Sequence, residues 1–218
     1  MSLVLNGNGT IQNLVAGGLP DGSVTADDIA STLDLSGKTV TLPAGTGGKV
    51  LQVVSSIKTG IQSISYNAGI TAITDLSVNI TPSSTSSKIL VQAYITSSSY
   101  LSSSYARLFH LYRNGSEISG SVPTLQSSQK GAWIKTSGAL GLSSLGGFNI
   151  DHGMGTDSGF YLDSPNSTSQ QTYAIYLEPQ DNTSNQGIHI NRNQSDAASS
   201  GHWEARSTSG IIVMEIAG

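Results

Sequence analysis

Over most of the chain, apolar and polar residues alternate one by one, the spacing that sends every second side chain to the same face of an extended strand. In "DLSVNIT", Leu76, Val78 and Ile80 alternate with Ser77 and Asn79; "TPSSTSS" then breaks the chain before "KILVQAYIT". That segment carries Ile89, Val91, Ala93 and Ile95 on one face, and on the other a mixed set of Leu90, Gln92, Tyr94 and Thr96, such as a neighbouring sheet or subunit covers. "ARLFHLYRNGSEI" predicts two strands joined at Asn114-Gly115, a pair suited to a tight hairpin because both turn positions need positive φ. Further strands are predicted in "KTVTL", "KVLQVVS", "GAWIKTSGAL", "QTYAIYLE" (Tyr173, Ile175 and Leu177 on one face), "GIHINR" and "SGIIVMEIA", the last with Ile212, Met214 and Ile216 inward. The polar stretches 97–104, 146–158, 164–171 and 182–187 read as loops. Even strand spacing and turn-rich links predict an all-β fold: an antiparallel β-sandwich, jelly-roll-like, at residues 56–218.

Residues 1–55 read as an extended N-terminal arm with a connector segment. Asn6-Gly7, Asn8-Gly9, Gly17-Gly18, Pro20-Asp21-Gly22 and Gly45-Thr46-Gly47-Gly48 interrupt it at short intervals. Its apolar residues, among them Leu3, Leu5, Ile11 and Leu14, are too frequent for a plain linker, so the arm is expected to fold against other chains. Thr25–Leu33 is the one predicted helix, about two turns long, with Asp27 and Asp28 in its first turn where they complement the helix dipole.

Composition sharpens this reading. Charged residues make up only 11% of the chain, and Ser and Thr about a quarter. Hydroxyls and glycines let β-surfaces approach closely, whereas charged groups resist dehydration, so the composition suits packing against identical chains. A formal net charge of -4 gives no positive field for phosphates, and nucleic acid is not an expected partner. With no Cys there are neither disulfides nor thiolate metal sites. No run of about 18 apolar residues appears, and the start has no basic segment leading into an apolar one, so neither membrane insertion through a helix nor secretion is expected.

The phrases "ITPSSTSSKILVQAYI", "LFHLYRNGSEI" and "STSGIIVMEIAG" resemble the C-terminal β-sandwich domains of bacteriophage tail-fibre and related virion surface proteins. The preceding "GLPDGSVTADDIAS" and "LSGKTVTLPAG" resemble connector segments found before such domains. The resemblance implies a homotrimer with a jelly-roll-like head and brings no catalytic motif. The expected function is that of a structural virion protein, a short tail fibre or receptor-recognition head whose arm contacts other tail or capsid proteins and whose loops meet a host surface glycan. The alternatives are a trimeric capsid cement or decoration protein stabilising the shell and, from another class, a glycan-degrading tailspike. The expected location is the virion, at the capsid surface or tail.

Neither catalytic nor cofactor-binding nor metal-ligating residues are expected. Asp151, His152 and Asp157 share the glycine-rich "IDHGMGTDSG", which holds ligand types but no second His at ligand spacing. His202 and Glu204 flank Trp203, yet no Gly-x-Ser-x-Gly elbow accompanies them. His110 and His189 fall in strands, where a satisfied or subunit-facing histidine is the ordinary case. Tyr100, Tyr105, Trp133, Tyr161 and Trp203 lie in or beside loops; stacking on sugars and filling of core or interface are both open to them.

Overall fold

The computed structural model describes residues 49–99, 106–127, 129–137, 154–179, 187–196 and 205–218, with the short pairs 4–5 and 11–12. The chain divides into two units, Met1–Gly47 and Gly48–Gly218. In the first, β1 (Val4–Leu5) pairs antiparallel with β2 (Ile11–Gln12). The helix expected over Thr25–Leu33 and the strand expected in "KTVTL" lie outside the described residues.

The second unit is all-β among its described residues, apart from a 3-10 turn at Ser119–Ser121. Its strands are β3 (Val50–Lys58), β4 (Gln62–Ser65), β5 (Thr71–Ile80), β6 (Lys88–Ser99), β7 (Ala106–Arg113), β8 (Ser116–Glu117), β9 (Ile134–Ser137), β10 (Gly155–Asp163), β11 (Gln171–Pro179), β12 (Gly187–Ile190) and β13 (Ser209–Ile216). Every ladder is antiparallel, and the strands form two sheets.

In the first sheet β6 is the organising strand. β10 pairs along one of its edges from Ile89 to Ser97. Both β13, at Lys88–Tyr94, and β12, at Ser97–Ser99, take the other edge, end to end. β3 then pairs with β13, and β4 with β12. The sheet is thus four rows wide: β10, β6, β13 with β12, and β3 with β4. The second sheet runs β5, β11, β7, with β8 and β9 sharing the last edge.

The inner faces meet in one core. Ile89, Val91 and Ile95 of β6, Ile211 and Val213 of β13, Phe109 and Leu111 of β7, and Tyr173, Ile175 and Leu177 of β11 all have 0% exposure. Burying each such side chain contributes about 1.5–3 kcal/mol, which makes this core the main source of stability. At the hairpin, Asn114 has φ 51° and Gly115 φ 80°, and Arg113 pairs with Ser116 across the turn as the two-residue loop requires.

Three sequence expectations are corrected. In β13 the inward residues are Ile211, Val213 and Glu215, whereas Ile212, Met214 and Ile216 face out and are only partly covered. The strand's phase is inverted because Glu215 finds enough hydrogen-bond donors inside to be buried as a carboxylate. Residues 97–99 extend β6 rather than starting a loop, and Ser97 and Ser98 are buried. Residues 155–158 likewise open β10 rather than forming a loop, because pairing with β6 overrides the turn preference of their glycine and short polar residues.

Where β12 gives way to β13, both running along β6, Asn191 makes the junction. It sits at φ 63°, fully buried, donating from Nδ2 to the carbonyls of Lys58 (2.8 Å) and Gly60 (3.0 Å). Its Oδ1 accepts from Ser209 Oγ at 2.6 Å, and that oxygen in turn accepts the Thr96 N–H at 2.9 Å. The break between the two strands is therefore sealed by side-chain hydrogen bonds where ladder bonds are missing.

Candidate functional site

The most unusual surface of the sandwich is the outer face of the β3-β13-β6-β10 sheet. Side chains on one face of a sheet lie in rows across the strands, so register decides which meet. Val53 pairs with Met214, Met214 with Leu90, and Leu90 with Leu162, giving four apolar side chains in one row. The next row holds Ser55, Ile212, Gln92 and Phe160, and the one after it Ile57, Gly210, Tyr94 and Ser158. Exposure is greatest at the flanks: Phe160 74%, Ile57 60%, Val53 55% and Leu162 53%. No acidic or basic side chain enters these three rows. Lys88, at a corner, donates to Ser164 Oγ at 2.8 Å.

Gly210 shapes the middle of this face. A Cβ there would lie 2.6 Å from Tyr94 Cε1, so the missing side chain lets the Tyr94 ring lie across β13. Beside it opens a concavity of about 840 Å³ lined by Gln92, Tyr94, Ile212, Phe160 and Trp133, among others. Trp133 donates from Nε1 to the Phe160 carbonyl at 3.2 Å, and Gly159 leaves room for Trp133 and Ile134. The concavity is thus walled by the start of β9 and floored by β6 and β13.

Other polar clusters are structural in geometry. Glu215, 1% exposed, accepts from Ser83 N (2.6 Å), Ser83 Oγ (2.6 Å) and Ser87 Oγ (2.7 Å) at one oxygen and from Gln52 Nε2 (2.8 Å) at the other. Burial alone raises a carboxyl pKa; here these hydrogen bonds outweigh it and hold Glu215 down at about 2. Lys58, 1% exposed, donates to Thr74 Oγ1 at 2.8 Å and lies 3.7 Å from Asp75, which adopts φ 64° where the β5–β11 register slips. The bulge in β5 aims this pair at the lysine.

The candidate residues that are described, Asp157, His110 and His189, do not converge. Asp157 points to Arg107, 4.0 Å away and 2% exposed, while Asp151 and His152 lie outside the described residues. Burial lowers the Arg107 pKa, with Asp157 opposing. His110 is buried on β7 with Nδ1 2.6 Å from Glu117 Oε1 and Nε2 3.2 Å from Glu178 Oε2; Glu178 also pairs with Lys130. His189 lies on the other sheet, its Nδ1 accepting from Arg192 Nη2 at 2.8 Å. Burial, reinforced by the Arg192 charge, holds its pKa at about 4, so the ring is neutral at pH 7.

Among the described residues, no three His, Asp or Glu side chains are grouped to hold a metal ion. Trp133 and Tyr161 pack against the core edge. Asp27, Asp28, Tyr100, Tyr105, His202, Trp203 and Glu204 lie outside the described residues. No described helix is long and apolar enough to cross a membrane.

Sequence reasoning missed Phe160 and Leu162, the most exposed apolar pair on one flank. Their signal was present in the alternation of "SGFYLD", masked by the glycines that precede it. No protein-family model matches the chain, and no curated protein matches it.

Proposed function

We propose that the chain is a homotrimeric structural protein of a bacteriophage particle, a short tail fibre or receptor-recognition head. The observation that carries this reading is the outer sheet face: three register rows of apolar, hydroxyl and amide side chains without one formal charge. Such a face costs little to dehydrate and gains from apolar contact, so it suits burial against another protein surface. In a chain with 11% charged residues, a copy of itself is the matching surface.

The strand order supports a jelly roll. The chain passes repeatedly between sheets, so that rows β3-β13-β6-β10 lie over rows β5-β11-β7-β9, as in two nested Greek keys. In this reading the first unit, Met1–Gly47, attaches the head to tail or capsid proteins, and the head, which takes in β3 from Val50 onward, presents its loops to a host surface glycan. Its work is done by shape and association, with no reaction chemistry and no cofactor.

Sedimentation of the full chain at micromolar concentration tests the first step. The expected mass is three times the 22.5 kDa chain. A native, monodisperse single chain overturns the reading, as does release of reducing ends from host polysaccharide by the purified protein. Placement of the chain in a density map of the intact particle separates tail from shell.

A further inference from the structure

Resting on the trimeric reading, we infer that the outer face of the β3-β13-β6-β10 sheet turns toward the threefold axis, the β10 flank of each chain packing on the β3 flank of the next copy.

Three observations converge on this arrangement. First, the three rows carry no formal charge, and the charged side chain a second copy meets is Lys135, exposed at the rim of the neighbouring concavity. Second, its size is limited. Four strand rows about 4.8 Å apart and six residue steps of about 3.3 Å from Leu51 to Ile57 give a footprint of roughly 300–400 Å². A standard interface buries about 800 Å² per partner, so this face alone falls short and a stable contact must also take in the surfaces at its rims.

Third, the two flanks differ in shape. On the β3 side, the aliphatic Val53 and Ile57 project more than half exposed. On the β10 side lies the concavity of about 840 Å³ bounded by Gln92, Tyr94, Ile212, Phe160 and Trp133. Aliphatic side chains on one flank and, on the other, a hollow rimmed by the 74% exposed Phe160 give two unlike surfaces, which favours a heterologous contact. Heterologous contacts that close form rings, whereas twofold pairs require a self-complementary patch. With the flanks so engaged, Leu90, Met214 and Ile212, between them, are left facing the axis.

The absence of cysteine allows a clean test by disulfide trapping in the full chain. Phe160→Cys is combined with Val53→Cys or with Ile57→Cys, and each single variant serves as a control. Within one chain the two positions are separated by three strand spacings, about 14 Å, well beyond disulfide reach, so every bond formed joins two chains. The expected result is covalent trimers on a non-reducing gel from at least one double variant, and single chains from each single variant.

Covalent dimers from Phe160→Cys alone indicate a twofold contact and overturn the inference. A sedimenting trimer with no disulfide in any combination leaves the trimer standing but removes this face from it. A folded single chain removes both. Phe160→Asp supplies a second readout: with an unchanged far-ultraviolet spectrum it is expected to weaken association at least tenfold. A Phe160→Asp trimer as stable as the parent also sinks the assignment.

Discussion

Glu215 ties the second unit's last strand to the turn before β6, and its replacement by Gln isolates that contribution. The carboxylate accepts four hydrogen bonds at 2.6–2.8 Å while 1% exposed. The unfolded chain takes up a proton near the ordinary value of 4.5, whereas the folded chain keeps the charge down to about 2. Between these values the unfolded state binds more protons, so stability is complete above pH 4.5 and is lost as pH falls through 2. At about 1.4 kcal/mol per pH unit, that gap amounts to about 3 kcal/mol. In Glu215→Gln an amide N–H₂ faces donors that need an acceptor, so at pH 7 the variant is expected to be less stable by about 2–4 kcal/mol. Urea midpoints at pH 7, 4.5, 3 and 2, at one fixed protein concentration, give the difference between the two proteins. That difference is expected to shrink steadily from pH 4.5 to 2. A constant difference over this range would falsify the hydrogen-bonded carboxylate as the cause.

His189 has the opposite charge logic in a higher pH window: its folded pKa of about 4 lies below the ordinary 6.5, so the stability of the neutral ring is present above 6.5 and drains as pH falls toward 4. The half-buried position limits this to about 1–2 kcal/mol, and His189→Gln is expected to flatten the pH 4–6.5 limb of the urea midpoint curve. Gly210→Ala pushes a methyl to within 2.6 Å of Tyr94 Cε1 and is expected to cost about 1–2 kcal/mol, with an altered near-ultraviolet tyrosine signal. Gly115→Ala, at φ 80°, places a Cβ in the left-handed region and is expected to lower the urea midpoint by about 1 kcal/mol equivalent, while Ser116→Ala leaves it within about 0.5.

Much of the sandwich was legible because its central strands obey the simplest pattern. β11 alternates throughout and β6 does so in burial from Lys88 to Ile95, and their predicted inward residues, Ile89 to Ile95 and Tyr173 to Leu177, are the core. The Asn114-Gly115 hairpin was legible because only a few residue pairs accept that backbone. β10 was not, since Gly155 and Gly159 hide a two-residue period; its pairing with β6 along nine positions, a long-range effect, makes it a strand. β13 was read in the wrong phase because hydrophobicity favours Ile212, Met214 and Ile216 over a set containing Glu215. Its true phase depends on Ser83 and Ser87, more than 120 residues away in the chain. The candidate face was half visible: the second face of β6 pointed to it, but its flanks required the register of four strands.

The placement of β13 has a consequence for biosynthesis. This strand fills the slot between β3 and β6, pairing with Val50–Lys58 on one side and Lys88–Tyr94 on the other. A nascent chain arrested before residue 209 lacks the strand that pairs with both β3 and β6, so their ladders stand open in the middle of a sheet. Closure must wait until residue 216 has cleared the ribosome, so this sandwich folds late and as a whole, and truncated products present sticky edges that quality control can recognise.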